Sequence, residues 1–194
     1  EAGTVKIVTN KPDPSGFAAG YGLEGNFVKG GDEGYVAEGF VNLPLADNMA
    51  IRLVGWAKHD AGYIDNIPFQ RTFQSSLITS PPDGITTDNA ARVDDDYNGV
   101  DTLGARAALR IELNDSWTVT PSLMGQKQTA DGSFGADRTL GKYKVGHGLP
   151  EGSDDEWLQA ALTVEGKVGS WDMVYAGSYL DRDVEFNFDY ADYS

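Results

Sequence analysis

Hydrophobic and polar residues alternate with a period of two along most of the chain. The cleanest stretch runs over 102–113, where Leu103, Ala105, Ala107, Leu109, Ile111 and Leu113 fall on one side. Thr102, Arg106, Arg110 and Glu112 fall on the other. A helix would scatter these residues around its axis; a strand sorts them onto two faces. The same sorting recurs over 157–168 (Leu158, Ala160, Leu162, Val164 and Val168 against Gln159, Thr163, Glu165 and Lys167). It recurs again over 117–128 and 17–28, and less regularly over 35–43, 49–59 and 171–182. The pattern predicts seven long strands, preceded by a short apolar one at 5–8. Helix signals are scarce: the segment 88–92 is too short and lacks an apolar stripe.

The connections sharpen this reading. Short turns are expected at 43–49 (Pro44, Asp47, Asn48), 113–117 (Asn114, Asp115, Ser116) and 168–171 (Gly169, Ser170). The alternate connections are longer, at about 30–34, 60–99 and 129–156. A rhythm of short and long links means antiparallel strands whose long loops gather at one end. In a compact soluble domain a loop of about 40 residues argues against the strand assignment. In an outer-membrane barrel it is expected. The predicted strands also suit a membrane, which needs about 9–11 residues per crossing against five or six in soluble sheets. The reading is therefore all-β: an antiparallel up-and-down transmembrane barrel. Tyr35, Trp56, Tyr63, Trp117, Trp157, Trp171 and Tyr179 lie near strand ends and are expected to form aromatic girdles. Seven strands do not close the usual even-numbered barrel, so the chain is expected to be part of a larger one.

Composition removes several alternatives. The 194 residues include 30 acids and 15 bases, for a net charge of −15, which disfavours nucleic acid as a partner. There is no cysteine, which excludes disulfides, thiolate metal sites and cysteine nucleophiles. No uncharged apolar run reaches 18 residues, so no helical span is expected. The 24 glycines suit turns and strands that need small side chains. Segments 60–99, 129–156 and 181–194 carry −5, −3 and −4, so the acidity is concentrated at the end where the long loops gather.

Candidate chemistry is confined to a few places. Arg52, Lys58, Arg106, Arg110 and Glu112 must point inward, because an arginine on a lipid face costs about 2–4 kcal/mol at mid-membrane. There they face water or a plug. Asp94-Asp95-Asp96-Tyr97-Asn98-Gly99 matches the first half of a calcium loop, but the twelfth position is Ala105 inside a strand. That rejects an EF-hand and leaves a looser divalent-cation site from Asp94, Asp96, Asn98 and Asp101, the only cofactor expected. Phe69, Phe73, Phe134, Tyr143 and His147 sit in the long loops, where aromatics capture ligands. His59 and His147 have no partner recognisable by spacing, and no nucleophile–base pair stands out, so the chain is not expected to be an enzyme.

The opening Gly3-Thr4-Val5-Lys6-Ile7-Val8-Thr9-Asn10-Lys11-Pro12 resembles the plug-to-barrel junction of TonB-dependent outer-membrane receptors. Gly39-Phe40-Val41-Asn42-Leu43-Pro44-Leu45, Ile51-Arg52-Leu53, Gly62-Tyr63-Ile64-Asp65-Asn66, 103–110 and Leu180-Asp181-Arg182-Asp183 resemble the early barrel of that family, in order. The resemblance implies that residues 1–14 end a plug and 15–194 begin a 22-stranded barrel in the bacterial outer membrane. It also implies uptake of a scarce nutrient, such as a ferric siderophore or an oligosaccharide, driven through the TonB complex. Lipid and lipopolysaccharide would surround the wall. The alternatives are a passive porin-like barrel and a soluble all-β carbohydrate-binding module.

Overall fold

The computed structural model describes Gly3, residues 8–73 and residues 85–190. Most of the predicted short strand at 5–8 lies outside the described residues. The elements are β1 (Ala18–Phe27), β2 (Glu33–Ala46), β3 (Met49–Asp60), β4 (Asp65–Asn66), β5 (Gln70–Phe73), β6 (Ile85–Asp88), one 3₁₀ turn (Ala90–Arg92), β7 (Val100–Asn114), β8 (Trp117–Asp131), β9 (Lys144–Val145), β10 (Gly152–Val168) and β11 (Trp171–Asn187). Among the described residues there is no α-helix.

The seven long strands form one antiparallel sheet in the order β1-β2-β3-β7-β8-β10-β11, a meander with no crossover. Each tight hairpin falls where Asp, Asn, Ser or Gly supplies the turn: Asp47-Asn48, Asp115-Ser116 and Gly169-Ser170. The first differs in detail from the prediction. Pro44 stays in β2 opposite Ala50, and a register shift between Pro44 and Ala46 precedes the turn. A bulge suits proline, which has no N–H for the ladder.

The register assigns the faces. Asn42 opposes Arg52, Arg52 opposes Ala108, and Ala108 opposes Ser122. Arg52, Lys58, Arg106, Arg110 and Glu112 therefore share one polar face. On the other face Val41, Leu53, Ala107, Leu123, Ala160 and Tyr179 form one continuous row. The girdle expectation needs correction there. Tyr35, Trp117, Trp171 and Tyr179 do lie on the apolar face, but Trp56 opposes Gly104 and Trp157 opposes Gln126 on the polar one. Tyr63 belongs to a loop, edge-on to Tyr143 with ring centres 5.5 Å apart. Trp56 lies across Gly104, where a Cβ would collide with the indole, and its Nε1–H donates to Gln126 Oε1 at 3.2 Å.

The apolar face is exposed: Tyr21 by 85%, Leu23 by 77%, Trp171 by 76%. Within it the strands show 8–10 residue steps free of charge. The upper border is Asp181 on β11, Glu156 on β10, Lys127 on β8, Asp101 on β7, His59 on β3 and Glu33 on β2. These residues are not in one hydrogen-bonded row. Asp181 opposes Leu158, two residues below the border of β10; Lys127 opposes Leu103, two below that of β7; His59 opposes Tyr35, two below that of β2. The lower border climbs in the same direction. Trp171 opposes Val168, Trp117 opposes Gly166, and Met49 opposes Ile111, which in turn opposes Val119. The apolar surface is thus an oblique band across the sheet.

On the polar face, residues 8–16 cross the strands as a strap. Asn42, fully buried, accepts from the Asp13 N–H at 2.9 Å and donates to the carbonyls of Asp13 and Gly16 at 2.8 Å each. Lys11 reaches Glu165 on β10 at 2.5 Å. Pro12, within the strap, is fully buried. Replacing Asn42 by Ala orphans three backbone groups at about 1–3 kcal/mol each if they stay buried. N42A should therefore free the strap, raising hydrogen exchange at the Asp13 amide by at least about 30-fold, or about 2 kcal/mol. Exchange in the central sheet should stay unchanged.

Candidate functional site

The described parts of the long loops are folded, and among the described residues they hold many of the buried side chains. Ile64 and Val145 are almost fully buried where β4 runs parallel to β9. Three buried asparagines stitch the segments together. Asn66 donates from Nδ2 to the carbonyls of Arg92 (2.8 Å) and His147 (3.0 Å) and accepts at Oδ1 from the His147 N–H (2.9 Å). Asn89 accepts from the Phe69 N–H (2.7 Å) and donates to the Ile67 carbonyl (2.8 Å). Asn98 accepts from the N–H groups of Tyr63 and Ile64, both at 2.8 Å. Amide side chains suit this task because each carries both a donor and an acceptor, so one residue satisfies several segments.

Four of the five loop aromatics have describable side chains, and they play different parts. Phe69 is half-buried against Gly146, with the Arg71 guanidinium 5.6 Å from its ring centre. His147 is drawn into the cap: its Nδ1 lies 2.5 Å from Glu151 Oε2, which also accepts from Tyr97 Oη–H at 3.2 Å. Tyr143 adopts φ +58° and packs on Tyr63 and Lys142. Phe134 stands apart, 62% exposed. Phe73 lies in β5 opposite Ile85. Phe69 and His147 thus belong to one packed cap, while Phe134 and, less so, Tyr143 are exposed. Both histidines have carboxylate partners, contrary to the expectation from spacing. His59 Nδ1 lies 2.7 Å from Asp101 and stacks on Tyr35.

Two of the four expected cation ligands, Asn98 and Asp101, have side-chain oxygens engaged elsewhere. Asn98 Oδ1 is occupied by two amides, Asp101 faces His59, and the Asp94 backbone pairs with Asn66. Among the described residues no group of three or more His, Asp or Glu is placed to hold a metal.

Below the cap, the polar face holds a cavity of about 440 Å³ between the strap and the strands. Asn10, Phe40, Arg52, Trp56, Arg106 and Met124 line it. The Arg52 guanidinium stacks 3.8 Å from the Phe40 ring centre, and Arg106 donates to the Asn10 carbonyl at 3.3 Å. Lys58 pairs with Asp60 (2.7 Å) and Arg110 with Glu112 (2.8 Å). Sequence reasoning found the charges of this wall but missed Trp56 and Phe40. For Trp56 the available signal was its parity with Arg52 on β3; Phe40, on β2, joins that face only through the register.

Comparison with family models, curated proteins and solved structures gives no match.

Two predictions follow from the cap. In N66A the loss of the shared amide should open residues 61–73, 85–99 and 132–151 to thermolysin while the long strands stay protected. Asp96, at φ +54°, has its carboxyl held above the ordinary 3.8, first by desolvation and then by Asp65, Asp32, Asp95 and Asp94. Folding thus opposes its ionised form, so the charge costs stability at neutral pH and nothing once pH falls below the unfolded value. D96N, which tolerates the same backbone, should protect the cap at pH 7, with the gain vanishing near pH 3.

Proposed function

We propose that the chain forms part of the wall of an outer-membrane β-barrel transporter of the TonB-dependent kind, with residues 1–14 continuing from a plug that fills the lumen. The oblique, charge-free band is the observation that carries this reading. Its upper border climbs six residues over the five strand intervals from β11 to β2. At about 3.3 Å per residue and 4.8 Å per interval, that slope puts the strands about 40° from the band normal. Membrane barrels tilt their strands by about 35–45°, and 8–10 steps at that tilt span about 20–25 Å, close to the apolar height of such barrels. In water, each large side chain of the band would forgo about 1.5–3 kcal/mol of burial. Lipid removes that cost across the whole face.

The transport part rests on other features. The strap ties the N-terminal segment to the wall from β2 to β10, as a segment leaving a plug requires. The folded, acidic cap stands at the end where a ligand would be captured. Coupling to TonB rests on the resemblance of the junction and the early strands. On this reading the chain makes and breaks no covalent bonds. Its wall faces lipid and lipopolysaccharide outside, and the plug and solute inside.

The natural absence of cysteine makes a direct test simple. Spin labels on single cysteines at Leu109 and Leu162 should be relaxed by oxygen dissolved in the bilayer. Labels at Ser122 and Thr163 should be relaxed by water-soluble nickel chelates instead. Labels replacing Asp181, Glu156, Lys127, Asp101 and Glu33 should report one common depth. Equal exposure of both faces to the nickel reagent would contradict the wall. In cells, uptake should stop when the proton-motive force is dissipated; undiminished flux would make the barrel passive.

A further inference from the structure

The polar face pairs its cations with carboxylates almost without exception. Lys58 meets Asp60, Arg110 meets Glu112, Arg182 meets Asp155 and Lys11 meets Glu165, at 2.5–2.8 Å. Arg52 and Arg106 break that pattern. They are diagonal neighbours on adjacent strands, since Arg52 opposes Ala108 and Val54 opposes Arg106. Side chains so placed lie within reach of one another. Among the described residues neither has a carboxylate within ion-pair distance. Glu38, which shares their cavity, is in line with Trp56 on the next strand and packs over Gly22.

Two adjacent guanidiniums with no counter-ion repel each other, yet both remain half-buried on the same wall. Arg52 spends its flat face on Phe40, which leaves the N–H edge free to donate. Arg106 uses NH1 on the Asn10 carbonyl and keeps its other donors. The space between is the cavity of about 440 Å³, walled by the Trp56 ring and roofed by residues 8–10. That volume suits a small molecule, and an aromatic wall beside charged forks suits an anion with a ring or a flat body.

We infer that Arg52 and Arg106 form a carboxylate-binding site in this cavity, with Trp56 and Phe40 as its aromatic walls. Carboxylate is the counter-ion that serves every other paired cation on this face, and the guanidinium fork matches it in two-point geometry. The carboxylate comes either from a free acid, such as a sugar acid moving along the wall, or from an acidic side chain of a neighbouring protein segment. The site is built by the sheet and the strap, so it stands or falls separately from the lipid reading.

Calorimetric titration of the chain in detergent micelles tests this with three probes: glucuronate, a tri-glutamate peptide and, as the neutral control, glucose. At least one of the two acids should bind saturably, and glucose should not. R52Q and R106Q should each weaken that binding by about tenfold or more, the loss of a charge-assisted pair. R110Q, whose partner is Glu112, should leave it unchanged. R52K and R106K, which keep the charge and lose the fork, should fall between, and they keep the test decisive where a glutamine variant fails to fold. Preference for glucuronate identifies a free solute, and preference for the peptide a protein segment. Neither acid binding better than glucose, or equal affinity in wild type, R52Q and R106Q, would overturn the site.

Discussion

A continuous ladder of backbone hydrogen bonds is the constraint on which the rest of this structure depends. An apolar face as wide as this one is stable only where its side chains meet other apolar groups. In lipid, every N–H and C=O behind those side chains must then be satisfied within the sheet. From β1 to β11 each long strand pairs with the next, the register shifting only beside the hairpin turns at Pro44/Ala46 and Glu112/Asn114, while the outer edges of β1 and β11 have no strand beside them among the described residues. Both shifts lie near the lower border of the band. Within the band the β7–β8 ladder lapses once, at Leu109 and Arg110 opposite Pro121 and Thr120, where proline has no N–H to give.

The polar face solves a different problem. Its side chains are joined by ion pairs, by Asn42 and by the strap, so the segment entering from residue 8 is held in a defined place. Trp56 and Phe40 add flat surface beside small residues, Gly104 and Gly20, which makes room for rings to lie down on the strands. Above, the cap exchanges the sheet ladder for asparagine side chains. Asn66, Asn89 and Asn98 do for irregular backbone what the register does for the strands: each buried group finds a partner.

Much of the sheet was legible because its signal is local. Parity in 102–113 and 157–168 gives both faces directly, and the hairpins announce themselves in Asp47-Asn48, Asp115-Ser116 and Gly169-Ser170. Parity also held the answer for Trp56 and Trp157, which share their sides with Arg52 and Gln159. Nearness to a strand end does not decide the face of an aromatic; its place in the alternation does, and that puts Trp56 and Trp157 outside any lipid-side girdle. The cap was illegible for a different reason. Asn66 and His147 are 81 residues apart, and Asn98 meets Tyr63 across 35. Such pairings leave no mark in spacing. The Asp94–Asn98 run reads as a cation loop in the sequence because oxygen-rich turns share one vocabulary, whether the oxygens hold a metal or cap backbone amides, and Asn98 does the second. The oblique band lies between these cases. Each strand carries its own border, but the slope exists only once the register aligns them.

The slope aligns the apolar residues of six strands into one flat slab that the strands cross at a single angle. Polarised infrared spectroscopy of the chain in oriented bilayers measures that angle through the dichroism of the amide bands. Strands of a barrel wall should tilt about 40° from the membrane normal, within the range of membrane barrels. Strands lying flat on the bilayer surface, or without any preferred orientation, would contradict it.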